Sequence, residues 1–550
     1  MRRLLLSGLA LAAVLSLSAQ TRYLEEVFTG VIAQQDSTVY QQNYSFLPVL
    51  AGQSSEEVVL PSYFQSYMPA DDDATDRPVM IINGTGSYLP QFVGGGVLGT
   101  IKDSVLVETA RRFARMGYVA IVADYRQGWI PTAFGSPGAD DQRIGSLLIA
   151  AYKGIQDFRA LARYLRRTVA EEDNPLGIDP DRIALMGYGT GGYNAYNANF
   201  LDDPSEVLDT DVITKYYSPN TGEPYLDTAR YGGPDGLQAR PLNIVNHPGY
   251  DSRFQFVAGI GGATGDTTWV DGNEDEAPTV GLHNTGDRNA PYAVGDVFVP
   301  IGGGQSLFII NAHGARATIA TANRLGVNDE LEEVNATLRS IEDFTTLRSD
   351  ALSDAAFTTN DGIETTFTVE NMYSFQGMSG SRIANTYNYI DSATLALFVA
   401  GYNRATGATT TAAEYLALER ASNPNITNPA AARRVLDTVM AFITPRAFVA
   451  LELGTAEEVG QALDIVDISA EAVGFQVYPN PASGLATLEV SDGVELQLVA
   501  LYDAQGRRIS AATVSGTRFG MDVSALPVGL YRLYAQTSEG TLSHPIAVAR

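Results

Sequence analysis

A short apolar run, Ile183 to Met186, leads straight into Gly187-Tyr188-Gly189-Thr190-Gly191-Gly192. Glycine lacks a Cβ and reaches backbone conformations closed to other residues, so this cluster marks a turn at which a strand gives way at once to a helix. A strand that is apolar without alternation belongs inside a parallel sheet, where both faces are covered. The surrounding sequence supplies its neighbours: Val79 to Ile82, Val119 to Ala123, Phe256 to Ile260 and Thr279 to Leu282 read as short strands of the same kind.

Helices alternate with these strands. Asp103 is placed to cap a helix from about Ser104, and Gly117 follows Met116 as its stop. Between Leu147 and Val169 the apolar positions Ile155, Phe158, Leu161 and Leu165 fall at spacings of three and four, which predicts a long helix with one buried face. Further helices are expected at about Arg316 to Leu325 and Ala430 to Phe442. The alternation predicts an α/β domain with a mostly parallel sheet and helices on both faces.

Five pieces resemble the α/β-hydrolase fold in its secreted carboxylesterase and lipase-like form. They are Val79 to Gly86, Gly117-Tyr118-Val119 to Asp124-Tyr125-Arg126, Gly177-Ile178-Asp179-Pro180-Asp181-Arg182, the glycine-rich elbow, and His283 to Tyr292. That family carries its nucleophile at the centre of G-x-S-x-G. Aligning Gly187 and Gly191 puts Gly189 at that centre, and a residue without a side chain forms no acyl-enzyme. Thr190 is the next hydroxyl along, but using it would set Tyr188 where the elbow wants a small residue. Asp287 matches the acid, against the alternative of a solvated loop aspartate. Gly84, Thr85 and Gly86 match the oxyanion loop, with Asn83 in place of the usual histidine.

The base is missing from its expected place. The chain has four histidines, His247, His283, His313 and His544, and none lies in the body after the last expected strand, where the family's order puts the histidine. His313 comes only shortly after Asp287, just ahead of a helix, and His283 ends a strand, where a packed histidine is the ordinary reading.

Both ends carry targeting signals. Arg2 and Arg3, the apolar run Leu4 to Leu17 and the exit Ser18-Ala19-Gln20 read as a signal peptide. Past residue 472, alternating strands separated by turns replace the helical pattern and predict a small C-terminal β-sandwich. Val477-Tyr478-Pro479-Asn480-Pro481-Ala482, Leu501-Tyr502-Asp503 through Gly506-Arg507, and Leu526-Pro527-Val528-Gly529-Leu530-Tyr531 together resemble the type A sorting domain of the type IX secretion system. The resemblance implies the secretion machinery as a partner and a secreted or cell-surface product. The expected organisation is a signal peptide at 1–19, an α/β-hydrolase-like domain at 20–454, an acidic linker at 455–471 and a sorting domain at 472–550.

Composition narrows the chemistry. With 36 basic against 63 acidic residues and a net charge of −27, the chain is a poor partner for nucleic acid or anionic lipid. It has no cysteine, which removes disulfides, thiolate metal sites and a thiol nucleophile. No stretch beyond the N-terminus is long and apolar enough for a membrane helix. The clusters Asp71-Asp72-Asp73 and Asp271 to Glu276 lack calcium-loop spacing and read as solvated acidic loops, so no metal and no cofactor is expected. Two functional readings remain. One is a pseudo-hydrolase that serves as a binding scaffold for an unidentified small molecule or surface ligand. The other is a carboxylic ester hydrolase with a rearranged site, using Thr190 or Ser87 with His283 or His313.

Overall fold

The computed structural model describes residues 22–34, 36–84, 86, 88–89, 99–131, 138–209, 214–287, 289–302, 305–345, 357–358, 364–365, 369–375, 387–420, 423, 425–462, 470, 472–502 and 508–550. The expected signal peptide, Thr85, Ser87 and the turn Asp503 to Arg507 lie outside them. The chain divides into two compact units, Met1–Leu331 with Phe357–Leu453, and Glu332–Ala356 with Gly454–Arg550.

In the first unit the strands of the two larger sheets are β1 (Val31–Ala33), β2 (Thr38–Ser45), β3 (Val58–Pro69), β4 (Arg77–Asn83), β5 (Val119–Ala123), β6 (Ile178–Tyr188), β7 (Phe256–Ile260), β8 (Ala263–Thr264), β9 (Thr279–Asn284), β10 (Val294–Gly302), β11 (Gln305–Gly314) and β12 (Met372–Phe375), and Phe357–Thr358 pairs with Glu364–Thr365 in a separate small hairpin. The main sheet runs β1-β3-β5-β4-β6-β7-β9-β12, with β2 also on β3. From β5 to β12 every neighbour is parallel, while β3 is antiparallel to both β1 and β5. Counting the strands of this path in chain order gives 1-2-4-3-5-6-7-8 with the second reversed, the topology of the α/β-hydrolase fold. Every residue of β4, β5 and β7 is buried, as expected of strands covered on both faces.

The helices that fix the site are α1 (Ser104–Met116), α2 (Ala139–Glu171), α3 (Thr190–Phe200), α4 (Ala315–Arg324) and α5 (Pro429–Ala450). Val105, Leu106, Thr109, Ala110, Phe113 and Ala114 form the buried stripe of α1, and Gly117 ends it with φ of 112°. Asp103 stands at the N-terminal boundary of α1 but makes no cap to it. Its carboxylate turns back to accept from Gly99 N, Thr100 N and Thr100 Oγ1, a correction to the capping role expected from sequence. Gly154 of α2 abuts Asn194 of α3; a Cβ there would sit 2.6 Å from Asn194 Oδ1, so glycine lets the two helices close on each other.

The second unit contains a helix, Ala456–Ala462, inside the stretch expected to be a plain linker, and an all-β region. Seven strands follow, β13 (Gln476–Tyr478), β14 (Leu485–Glu489), β15 (Leu496–Tyr502), β16 (Arg508–Thr513), β17 (Arg518–Asp522), β18 (Gly529–Thr537) and β19 (Gly540–Val548). They form two antiparallel sheets, β13-β14-β17 and β16-β15-β18-β19. The alternating apolar side chains, among them Leu488, Val499, Leu501, Leu533, Ala535 and Ile546, make one core.

Candidate functional site

The turn from β6 to α3 is shaped by what glycine omits. Gly189 has φ 58° and ψ −112°, a conformation that costs a residue with a side chain on the order of 1–3 kcal/mol and that gathers at functional sites. Its N–H donates to Ile260 O at 2.7 Å, and its carbonyl accepts from Gly192 N at 2.9 Å. A Cβ on Gly187 would lie 1.9 Å from Gly191 O, one on Gly191 would lie 2.5 Å from Asn83 O, and one on Gly192 would lie 2.2 Å from Gly261 O. The elbow is therefore a backbone-on-backbone crossing. Gly189 occupies the strained position and Thr190 is the first residue of α3.

Asp287 follows β9. Its Oδ1 accepts from Asn289 N at 2.7 Å and Ala290 N at 3.2 Å. A Cβ built on Gly261 would stand 3.7 Å from Gly189 Cα and 3.8 Å from Asp287 Oδ2, so the elbow and the acid border the same space. The side chain is 7 % exposed, and burial pushes its carboxyl above the usual aspartate range although His283 and the two amides pull the other way. The reading of Asp287 as a solvated loop residue is thereby corrected.

No histidine completes this pair. His283 Nε2 is 3.9 Å from Asp287 Oδ2, beyond hydrogen-bond reach, and gives its proton to Ala290 O at 3.2 Å. Its Nδ1 is buried without a partner, and burial holds its pKa below the usual value, so the ring is neutral. His247 is held at Tyr40 O, and His544 packs on Phe475 in the sorting domain.

The described residues of the expected oxyanion loop make hydrogen bonds to their neighbours. Asn83 is fully buried; its Nδ2 donates to Met186 O at 2.9 Å and its Oδ1 accepts from Asn194 Nδ2 at 3.2 Å, while Tyr88 OH donates to Asn194 Oδ1 at 3.0 Å. Gly84 O accepts from Tyr125 OH at 3.2 Å. Gly86 O accepts from Leu89 N at 2.8 Å.

Sequence reasoning missed a second constellation. His313, in β11, accepts at Nδ1 from Thr267 N at 3.0 Å and lies 2.8 Å from Thr267 Oγ1, while its Nε2 is 3.5 Å from Asp266 Oδ2. Lys215 Nζ binds the same Asp266 oxygen at 2.7 Å and also Gly265 O and Asn311 O. Burial pushes the Asp266 carboxyl up, but the Lys215 bond and charge outweigh it and hold it below its ordinary range. A signal for this cluster was available. Gly261-Gly262-Ala263-Thr264-Gly265-Asp266 is a second glycine-rich turn at the carboxyl end of a parallel strand, where α/β proteins place their sites.

Most of both acidic clusters is exposed as expected, Asp71, Asp73, Asp271, Glu274 and Asp275 among them, but Asp72 and Glu276 are tied into the structure. Asp72 accepts from Arg22 at 3.0 and 2.8 Å and from Arg77 Nε at 2.8 Å. Glu276 is 8 % exposed and accepts from Asp271 N and Gly272 N. Among the described residues one group, Asp202, Glu206 and Asp271, brings three carboxylates within 4.8 Å of one another. Burial first, then the neighbouring acids, pushes Glu206 and Glu276 up to about 7.

By strand order and by the elbow behind β6, the first unit is an α/β-hydrolase fold, and the all-β region is a type IX secretion sorting domain. Residues 476–549 match the family described as the secretion system C-terminal sorting domain. Among solved structures the chain is similar to Thermogutta terrifontis esterase 2 with propionate bound, at 14% identity and a TM-score of 0.28, over 68% of this chain and 96% of that one. The cyclosarin-phosphonylated form of that esterase aligns at 15% identity and a TM-score of 0.26, over 47% of this chain and 73% of the other. A stretch of 216 residues is 24% identical to a non-reducing polyketide synthase of Emericella nidulans; it is 36% of this chain and spans 8% of the length of that relative. The sorting domain indicates a secreted or cell-surface protein handled by the type IX machinery. Among the described residues no helix is long and apolar enough to cross a membrane.

Proposed function

We propose that this secreted or surface α/β-hydrolase-like protein is a pseudo-hydrolase, a binding scaffold that keeps the elbow of an esterase without its chemistry. The observation that carries this reading is the pairing of Gly189, in the strained backbone position of a nucleophile, with an Asp287 that no histidine hydrogen-bonds. A hydroxyl without a base is a weak nucleophile, and triad members act as a unit, so restoring one gives little. Wild-type protein should hydrolyse p-nitrophenyl butyrate no faster than buffer, and Gly189→Ser should not rescue it. Saturable turnover by the wild type would sink the reading.

A second reading is an ester hydrolase with a displaced site, favoured by the Thr267–His313–Asp266 chain. Two features weigh against it. The single lone pair on Nδ1 already takes the Thr267 N–H, and Asp266 is bound more closely by Lys215 than by the imidazole. Turnover lost in both Thr267→Ala and His313→Ala would favour this alternative.

Export is read as proceeding through both terminal signals. The mature chain should begin near Gln20 and lose its tail in or after 455–475. Mass spectrometry of the secreted product checks both ends, and a product retaining residues 1–19 would refute the signal-peptide reading.

A further inference from the structure

Gly189 and Asp287 leave a specific chemical imbalance. Of the two carboxylate oxygens of Asp287, Oδ1 takes two backbone N–H groups, whereas Oδ2 takes no hydrogen bond from the described residues. This oxygen is the one that borders the space beside Gly189, and the carboxylate keeps 7 % of its surface open. The nearby His283 cannot serve it, because its one proton already goes to Ala290 O, and Nδ1 of that ring is a further acceptor without a donor. Asp287 forms no ion pair with a lysine or arginine among the described residues. Among the described residues, then, the Asp287 carboxylate has no cationic partner, and a cation arriving at Oδ2 would relieve that imbalance.

We infer that the space in front of Gly189 binds a protonated primary amine, held by Oδ2 of Asp287. The inference rests on the pseudo-hydrolase reading, since a catalytic histidine would otherwise take that oxygen. An ammonium supplies three donors and one positive charge, and a charge-assisted hydrogen bond to a carboxylate is roughly twice as strong as a neutral one. The surroundings suit a cation. Tyr193 donates to Asn289 O in the acid loop, and Tyr387 packs on Tyr188 with ring centroids 4.8 Å apart and the planes tilted by 55°. Burial, and then the Asp287 charge, raises both the Tyr193 and the Tyr387 hydroxyl well above the ordinary value, so both stay protonated and add no second negative charge beside the acid. A divalent cation fits less well, because it needs several oxygen ligands and Asp287 belongs to no carboxylate group among the described residues.

The test titrates the full secreted chain with n-butylammonium, with n-butanol as the neutral match, by ligand-observed NMR. Butylammonium should bind at least tenfold more tightly than butanol, and Asp287→Asn should lose at least tenfold of that affinity. Equal binding of amine and alcohol to the wild type overturns the inference without any variant, and so does unchanged binding in a folded Asp287→Asn. A blocked lysine tripeptide distinguishes the sources: tighter binding than butylammonium supports the site and assigns it to a lysine side chain, and weaker binding supports it as a site for free amines. Ester turnover by the same wild-type sample would defeat the pseudo-hydrolase reading, whereas absence of both turnover and amine binding would defeat only this inference.

Discussion

The elbow and the β8–β11 cluster each carry half of a hydrolase site. At Gly189 the backbone of a hydrolase is present, with the strained turn, the crossing glycines and the acid in place, yet the nucleophile position carries no side chain and His283 stays 3.9 Å from the acid. At His313 a hydroxyl, an imidazole and a carboxylate stand in sequence, yet the imidazole lone pair takes a backbone N–H, the carboxylate is 3.5 Å from the ring, and a lysine binds it more closely. Backbone geometry and side-chain chemistry are thus encoded separately. On the proposed reading, neither one alone supports turnover.

The largest effect should come from the elbow backbone. Gly187→Ala would drive a Cβ to within 1.9 Å of Gly191 O, where a peptide and not a flexible side chain must move. We expect a loss of at least 3 kcal/mol, the upper end for overpacking, read by urea denaturation. A mild effect would show that the crossing is looser than described. His313→Ala should cost less, about 1–3 kcal/mol, the penalty for leaving the Thr267 donors and Asp266 without a partner. If the cluster is structural, this variant should change no measurable activity.

The two acids should differ in the sign of their pH dependence. Asp266 titrates below its unfolded value near 3.9, so the stability it contributes is present above that pH and is lost as pH falls through the folded pKa. Asp287 titrates above its unfolded value, so its contribution is present at low pH and is lost as pH rises through its folded pKa. Thermal melts across pH 2.5–7 should therefore show Asp266→Asn removing part of the acid-side fall in melting temperature, and Asp287→Asn removing part of the fall on the higher-pH side. Shifts of the same sign would erase the distinction. The smallest effect concerns the tail: residues 472–550 expressed alone should unfold cooperatively, because their core is built from their own strands. A non-cooperative melt would move that boundary.

Much of this was legible before any coordinates. Phe256–Ile260 and Val119–Ala123 have the bounds that their apolar runs announce, and the tail past 472 is all-β as its alternation announces, because burial on one or two faces marks the local sequence. The long helix was read from Leu147 but starts at Ala139, since the first turns carry too few apolar residues to extend the stripe. Partnerships across the chain left no period. Thr267 and His313 are 46 positions apart, and Asp72 meets Arg22 from 50 positions away, so neither contact could be read from spacing. The vacancy at Gly189 was legible because it is an identity at a motif position. The free Oδ2 of Asp287 was not, because it depends on where the His283 proton goes.

The central claim is that no hydroxyl in this chain is activated. An alkyl fluorophosphonate, which phosphonylates activated serine and threonine hydroxyls, tests that directly when the intact secreted protein is incubated with excess reagent and weighed by mass spectrometry. The account predicts an unchanged mass after prolonged incubation. A stoichiometric adduct mapped to Thr190 or Thr267 would contradict it and would identify the nucleophile.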